Sequence, residues 1–538
     1  MNQSSRDSAG GGTEHSAIRD WGLVLGPLLA LAVYLLSQSS LALPGPGVMK
    51  LEPAAGKTAA IMVWMAIWWM TEALPLPATS LMPLVLFPLL GVFEGSSKEV
   101  FQQAATPYAN RFVFLLMGGF MIALAIERWG LHRRIALLTV WYVGVRPRRL
   151  VAGFMIATAG LSMWISNTAT TAMMLPIAIS LINLLYHRFE LGSPSATGSP
   201  PAAISPEKIG LRDDVNRFAT CLMLSVAYAA SIGGMMTFVG TIPNAFMAEQ
   251  LDEIGLSITF GRWMVFTAPL VIGMLFISWI LMTRFIFPFQ FKEIPGGKAL
   301  IGEEIEQLGP MNRGERIVLQ VFVLTAILWV LRAPLQDWEW LTDRVPMVSR
   351  LSDTVIALVG ALSLFVIPVH WQRREFALNW EVASRLPWGV LLLFGGGLSL
   401  AAAVASSGLA EAIAQAVTLV PSTSVLLPML IVAAVIILLT EVTSNTATVT
   451  IMVPLLVGIA GTLVASGDSR LLVIPATLAA SCAFMLPVAT PPNAIVFASE
   501  RIKIRDMAYA GMWLNLLGLI LIPLVVLTWG RWILGIGQ

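Results

Sequence analysis

The chain is poor in charge, cysteine and histidine. Only 12% of its 538 residues are Asp, Glu, Lys or Arg, against 57% hydrophobic, too few for the solvated surface of a soluble globular domain. Two cysteines cannot form a disulfide framework; Cys221 and Cys482 both lie inside apolar runs and read as packing residues. The net charge of +2 gives no basic field for nucleic acid. No His-Glu-x-x-His helix, Gly-x-Ser-x-Gly turn or phosphate-binding loop is present, which argues against an enzyme. Residues 1–18 are polar, without the apolar core of a signal peptide, so the reading keeps the N-terminus cytoplasmic.

What is abundant is apolar sequence. Runs near 21–43, 58–74, 77–93, 110–127, 218–239, 262–288, 314–332, 353–370, 386–404, 471–488 and 511–535 suit the ~20 helical residues that cross a hydrocarbon core. The expectation is an all-α polytopic membrane protein of about 11 transmembrane helices. Arg and Lys gather in alternate loops, which the positive-inside rule makes cytoplasmic; the C-terminus then lies outside.

Two further apolar segments, 150–183 and 422–458, are interrupted by the same pentapeptide. Ser-Asn-Thr-Ala-Thr occupies Ser166–Thr170 and recurs 278 positions on as Ser444–Thr448. That offset also carries Gly118-Gly119 onto Gly396-Gly397, Gly130-Leu131 onto Gly408-Leu409 and Pro176 onto Pro454. Each interrupted segment is too long for one helix and too polar at its centre, which suggests a re-entrant hairpin with the pentapeptide at its tip. Five spans and one hairpin per copy make the number of crossings odd, so the two repeats are expected to be inverted.

The organisation that follows is a cytoplasmic tail (1–20), an extra first helix and loop (21–56), repeat 1 (57–288, hairpin 150–183, linker 187–217), a cytoplasmic linker (289–313) and repeat 2 (314–535, hairpin 422–458). Ser193–Pro206 reads as a flexible linker, and Leu131–Val143 and Leu409–Thr418 as interfacial helices.

Hairpin tips leave carbonyls at the end of one short helix and amides at the start of the next. Carbonyls suit a sodium ion and helix N-termini an anion. Asn167, Thr168, Asn445 and Thr446 add neutral donors and acceptors for a carboxylate. Helix capping by Ser, Asn and Thr would account for each copy alone. Gly240-Thr241-Ile242-Pro243-Asn244 and Ala489-Thr490-Pro491-Pro492-Asn493 follow apolar runs in the two halves, and their prolines should break both helices; a kink without a ligand is the plainer alternative. Glu441 stands where the first repeat has Met163; it reads as a neighbour of a sodium site, a proton acceptor or a structural partner of backbone.

Trp69-Met70-Thr71-Glu72-Ala73-Leu74-Pro75, the two Ser-Asn-Thr tips, Thr440-Glu441-Val442-Thr443-Ser444 and Ala489-Thr490-Pro491-Pro492-Asn493 together resemble the divalent anion:sodium symporter family, from about residue 20 to the C-terminus. The resemblance implies an elevator-type homodimer in the bacterial inner membrane, importing di- or tricarboxylates of the succinate, malate, fumarate or citrate class with sodium. It implies two sodium sites, one at Ser162, Ser166, Asn167 and Gly240, the other at Thr440, Thr443, Asn445 and Ala489. Substrate would contact Asn167, Thr168, Thr241, Asn445, Thr446, Thr490 and Pro491. Dicarboxylate exchange, sulfate:sodium symport, sodium/proton antiport and arsenite-type efflux are the alternatives of similar architecture.

Overall fold

A computed structural model describes residues 11–38, 51–189, 191, 206–417, 425–464 and 466–537. The Ser193–Pro206 linker reading therefore lies almost wholly outside the described residues. Among them, nine helices are long and apolar enough to cross a membrane, and four shorter apolar helices accompany them.

The chain starts with α1 (Gly11–Gln38) and α2 (Pro53–Thr71). The run read as one span at 77–93 is two short helices, α3 (Leu76–Thr79) and α4 (Met82–Leu90), each with a proline in its first two positions, where the missing N–H costs nothing. Next come α5 (Ser97–Ala105), α6 (Arg111–Arg128) and α7 (Leu131–Val143). α8 (Pro147–Ser162) and α9 (Asn167–Arg188) flank the first pentapeptide. α10 (Pro206–Gly234) begins inside the expected linker, because Glu207–Arg217 continues a helical pattern, and α11 (Ile242–Glu253) restarts after the break at Gly240. α12 (Phe260–Ile280) ends in a π-helical turn, Leu281–Ile286.

The segment 289–313 is structured rather than a plain linker. It holds α13 (Gly297–Leu308), whose C-terminus meets α7. The buried Arg134 guanidinium pairs with Glu315 (3.2 and 3.1 Å) and also donates to the carbonyls of Leu308 and Gly309. Glu315 closes a capping box with Asn312 at the start of α14 (Arg313–Gln336). α15 (Glu339–Arg344) and α16 (Asp353–Val366) follow. The tail of the 353–370 span is not helix but β1 (Pro368–His370), antiparallel to β2 (Glu375–Phe376). After α17 (Trp380–Ala383) the pattern of the first half returns, with α18 (Trp388–Ser406), α19 (Leu409–Val417), α20 (Leu426–Thr440), α21 (Asn445–Leu463), α22 (Arg470–Ala480), α23 (Pro491–Phe497) and α24 (Ile504–Val525), the last again ending in a π-helical turn, Val526–Gly530.

Glycines set the packing at matching points of the two halves. Gly130 (φ +70°) and Gly408 (φ +75°) hold the left-handed turns that separate α6 from α7 and α18 from α19. A side chain on Gly118 would meet the Ala357 backbone of α16 at 2.8 Å, and one on Gly396 would meet the Ser80 carbonyl between α3 and α4 at 2.3 Å. The broken helices cross over: α11 packs on α21, and α23 packs on α9. Each half thus braces the hairpin region of the other. Glu72 has a left-handed backbone, and its carbonyl accepts from Arg19 Nε at 3.1 Å.

Candidate functional site

α8 stops at Ser162 and α9 starts at Asn167. In the short turn between them the Ser162 Oγ donates to Asn167 Oδ1 at 2.6 Å. Ser166 caps α9, its Oγ accepting from Ala169 N–H at 3.2 Å. The second tip repeats the central contact with the homologous hydroxyl: Thr440 Oγ1 lies 2.6 Å from Asn445 Oδ1 and 2.8 Å from the Ala480 carbonyl at the end of α22. Capping is not repeated, for Ser444 makes no side-chain cap bond. What the two halves share is therefore a hydroxyl holding the Asn carbonyl oxygen in place, which capping does not explain.

The helix breaks lie against the tips. Gly234 and Gly240 approach so closely that a side chain on Gly234 would strike Asn167 Oδ1 at 2.7 Å, and one on Gly240 would reach the Met163 carbonyl at 3.0 Å. Ser162, Asn167 and Gly240 of the first expected set thus converge, while Ser166 faces out. In the second set, Thr440 and Asn445 are joined. Thr443 turns its hydroxyl to Leu439 O (2.7 Å) and Thr448 Oγ1 (2.6 Å), leaving only its carbonyl for an ion. Ala489 is buried at the end of the break. Among the expected substrate contacts, Thr168 and Pro491 are exposed and Thr241, Asn167 and Asn445 partly so, whereas Thr446 and Thr490 are buried. Thr490 Oγ1 accepts from Asn493 N–H at 3.3 Å, whereas Thr241 makes no such bond.

Two asparagines that sequence reading placed only at the ends of the broken-helix motifs organise the breaks. Asn244 Nδ2 donates to Met235 O (2.9 Å) and Thr237 O (2.8 Å); Asn493 Nδ2 donates to Ala483 O (3.1 Å) and Leu486 O (3.0 Å). Both are fully buried, and each amide takes carbonyls that the broken helix leaves over. Their occurrence at the same motif position in both halves was the available signal. Thr237, which donates to the Met163 carbonyl and accepts from Gly240 N–H at 2.9 Å, had no such signal.

The chemistry available is neutral. The joined residues present hydroxyl, amide and carbonyl oxygens, ligands that suit a hard monovalent or divalent cation, and helix N-termini at Asn167, Asn445, Ile242 and Pro491 that suit an anion. Among the described residues no three His, Cys, Asp or Glu side chains gather as a metal cluster.

A family profile described as sodium:sulfate symporter transmembrane region matches residues 25–536. A protein of Staphylococcus saprophyticus named sodium-dependent dicarboxylate transporter SdcS is 39% identical over 507 residues, covering 94% of this chain and 90% of the relative. Its namesake in Staphylococcus aureus is 38% identical over 508 residues, with the same coverage. The crystal structure of the YdaH transporter of Alcanivorax borkumensis shares the fold, with a TM-score of 0.50, 15% identity, and coverage of 96% of this chain and 98% of that one. A multi-pass membrane protein with a duplicated hydroxyl–asparagine tip, and no enzyme, this chain belongs to the sodium:sulfate symporter family, the divalent anion:sodium symporters.

Proposed function

We propose that the protein imports a di- or tricarboxylate of the succinate, malate, fumarate or citrate class, coupled to sodium. The observation that carries this reading is the pair of tips in which Ser162 and Thr440 each lie 2.6 Å from an asparagine carbonyl oxygen, Asn167 and Asn445. An Asn so held turns one face to an ion and leaves its Nδ2 free for a carboxylate. The names of the Staphylococcus relatives support dicarboxylate over sulfate. In this reading the first sodium is held by Ser162, Ser166, Asn167 and Gly240, the second by Thr440, Thr443, Asn445 and Ala489, and substrate spans Asn167, Thr168, Thr241, Asn445, Thr446, Thr490 and Pro491.

Charge balance supports coupling. None of these residues is Lys or Arg, and moving a dianion through a low-dielectric barrier without compensation is prohibitive. Two sodium ions supply the missing charge. The two halves then act as inverted repeats: the hairpins, broken helices and α12 and α24 move as the elevator, and α2–α6, α14, α16 and α18 stay as the scaffold and dimer surface, with the N-terminus cytoplasmic and the C-terminus outside.

The test is succinate affinity of purified protein at zero and saturating sodium, with choline holding ionic strength constant. Sodium should tighten succinate by at least tenfold, and linkage requires succinate to tighten sodium by the same factor. Unchanged affinity would leave an exchanger of the same fold, which is the second reading.

A further inference from the structure

Glu441 is a buried carboxylate between Thr440 and the second tip, and all its partners are donors. Oε1 accepts from Phe484 N–H (2.9 Å), Met485 N–H (2.9 Å) and Asn515 Nδ2 (2.6 Å); Oε2 accepts from Met485 N–H (3.0 Å) and Leu486 N–H (3.1 Å). Three consecutive amides in a break between helices form an anion-binding concavity. A carboxylic acid would direct its proton at one of these donors, so the geometry is that of the charged form. The space for it comes from α24. Gly511 lets the Phe484 carbonyl come where a side chain would meet it at 2.3 Å, Gly518 does the same for Cys482 Sγ at 2.7 Å, and Asn515 lies between them on that face of the helix.

The first half solves the same problem with the opposite polarity and no charge. Met163 replaces Glu441, and its carbonyl accepts from Thr237 Oγ1. Trp263 Nε1 and Thr267 Oγ1 of α12 donate to the carbonyls of Met235 (3.2 Å) and Met236 (3.3 Å). Beyond the asparagine donors that both breaks share, the first is held by further donors on its carbonyls and the second by an acceptor on its amides.

From this juxtaposition we infer that Glu441 is a positioning residue that makes the two cation sites unequal. Its oxygens are saturated, so it is not a ligand. It locks Phe484–Leu486, the stretch leading to Ala489 and Thr490, and it places a fixed negative charge next to Thr440 with no counterpart at the first tip. The second site therefore binds its cation more tightly and fills first. This rests on the two-sodium reading above.

The experiment uses full-length protein in proteoliposomes, with uptake measured against sodium and against succinate. Glu441→Gln removes the charge, and Asn515→Leu keeps it while deleting one donor. A unit charge beside a ligand, acting through an effective dielectric of about 20, changes cation affinity by about tenfold or more. Half-saturating sodium should rise at least tenfold in Glu441→Gln and less than about threefold in Asn515→Leu, with half-saturating succinate at saturating sodium within about twofold of wild type in both. Equal sodium effects in the two variants, or a loss of succinate affinity that saturating sodium does not restore, would overturn the charge assignment and leave a purely structural residue. Should Glu441→Gln not fold, Glu441→Asp keeps the charge and shortens the reach; a tenfold sodium effect there would likewise overturn the proposal, and less than threefold would support it. A wild-type protein indifferent to sodium would fail the two-sodium reading instead.

Discussion

The two tips use one contact on two different supports. At the first, Trp164 enters an aromatic stack, 6.0 Å from Trp329 and 6.2 Å from Phe260 with near-parallel planes, and edge-on to Phe322 at 5.2 Å. At the second, the matching residue is Val442, 61% exposed, and the support comes from the polar cluster around Glu441. The hydroxyl–asparagine distance is nonetheless 2.6 Å at both. The difference teaches that the oxygen geometry is the constrained quantity, while apolar packing and a buried charge are interchangeable ways of holding it.

The largest effect should come from breaking what the tips share. Asn167→Ala and Asn445→Ala should each lower succinate uptake at least a hundredfold in proteoliposomes while thermal unfolding of the purified protein stays within a few degrees of wild type; near-normal uptake in either would remove that Asn from the site.

Inversion is tested by accessibility. In protein lacking Cys221 and Cys482, single cysteines at exposed His187, in the last turn of α9, and exposed Ser466, just after α21, should react with an impermeant maleimide from opposite faces of sealed, oriented vesicles. Labelling of both from one face would contradict the inverted repeats.

A smaller effect should separate the supports. Trp164→Ala opens the aromatic stack and should lower uptake several-fold, through looser packing of the first tip, whereas Val442→Ala should stay within about twofold. Similar losses in the two variants would mean that the stack does not support the first tip.

The smallest effect concerns the turn after the second hairpin, outside the membrane-spanning helices. Burial works to raise the Asp468 carboxyl, but hydrogen bonds from Arg470 and the Gly537 amide outweigh it and hold it below the usual carboxylate range. A depressed carboxyl contributes stability above the unfolded value of about 3.9, lost as pH falls through the lower folded value. Asp468→Asn should therefore cost a degree or two of thermal stability, constant from pH 8 to pH 5, with the gap to wild type closing only below about pH 4. A gap that already varied between pH 8 and 5 would point to a different titrating group.

The tips were legible because polar residues stand out in apolar sequence and because the same five recur at a fixed offset. The breaks were legible through proline. By contrast, a lone Thr237 or Asn515 within an apolar run carries no mark separating it from a polar residue satisfied by its own helix. The stack around Trp164 joins residues far apart in the chain, which periodicity cannot report. The segment 289–313 reads as a cytoplasmic linker because Gly297–Leu308 is short and amphipathic, and the order of α13 comes from Arg134 and Glu315, contributed by α7 and α14. The two short helices α3 and α4 passed for one span because hydropathy counts prolines without registering where they fall.

Both tips also depend on partners synthesised after them. Ser162, Trp164 and Asn167 leave the ribosome before Gly234, Gly240, Phe260 and Trp329 exist to pack on this tip, and Glu441 precedes the Phe484–Leu486 amides and Asn515 that satisfy it. A polar turn or a bare carboxylate cannot rest in lipid while it waits. Biogenesis must therefore keep each hairpin in a wet or proteinaceous shelter, at the translocon or the bilayer surface, until its own broken helix is threaded.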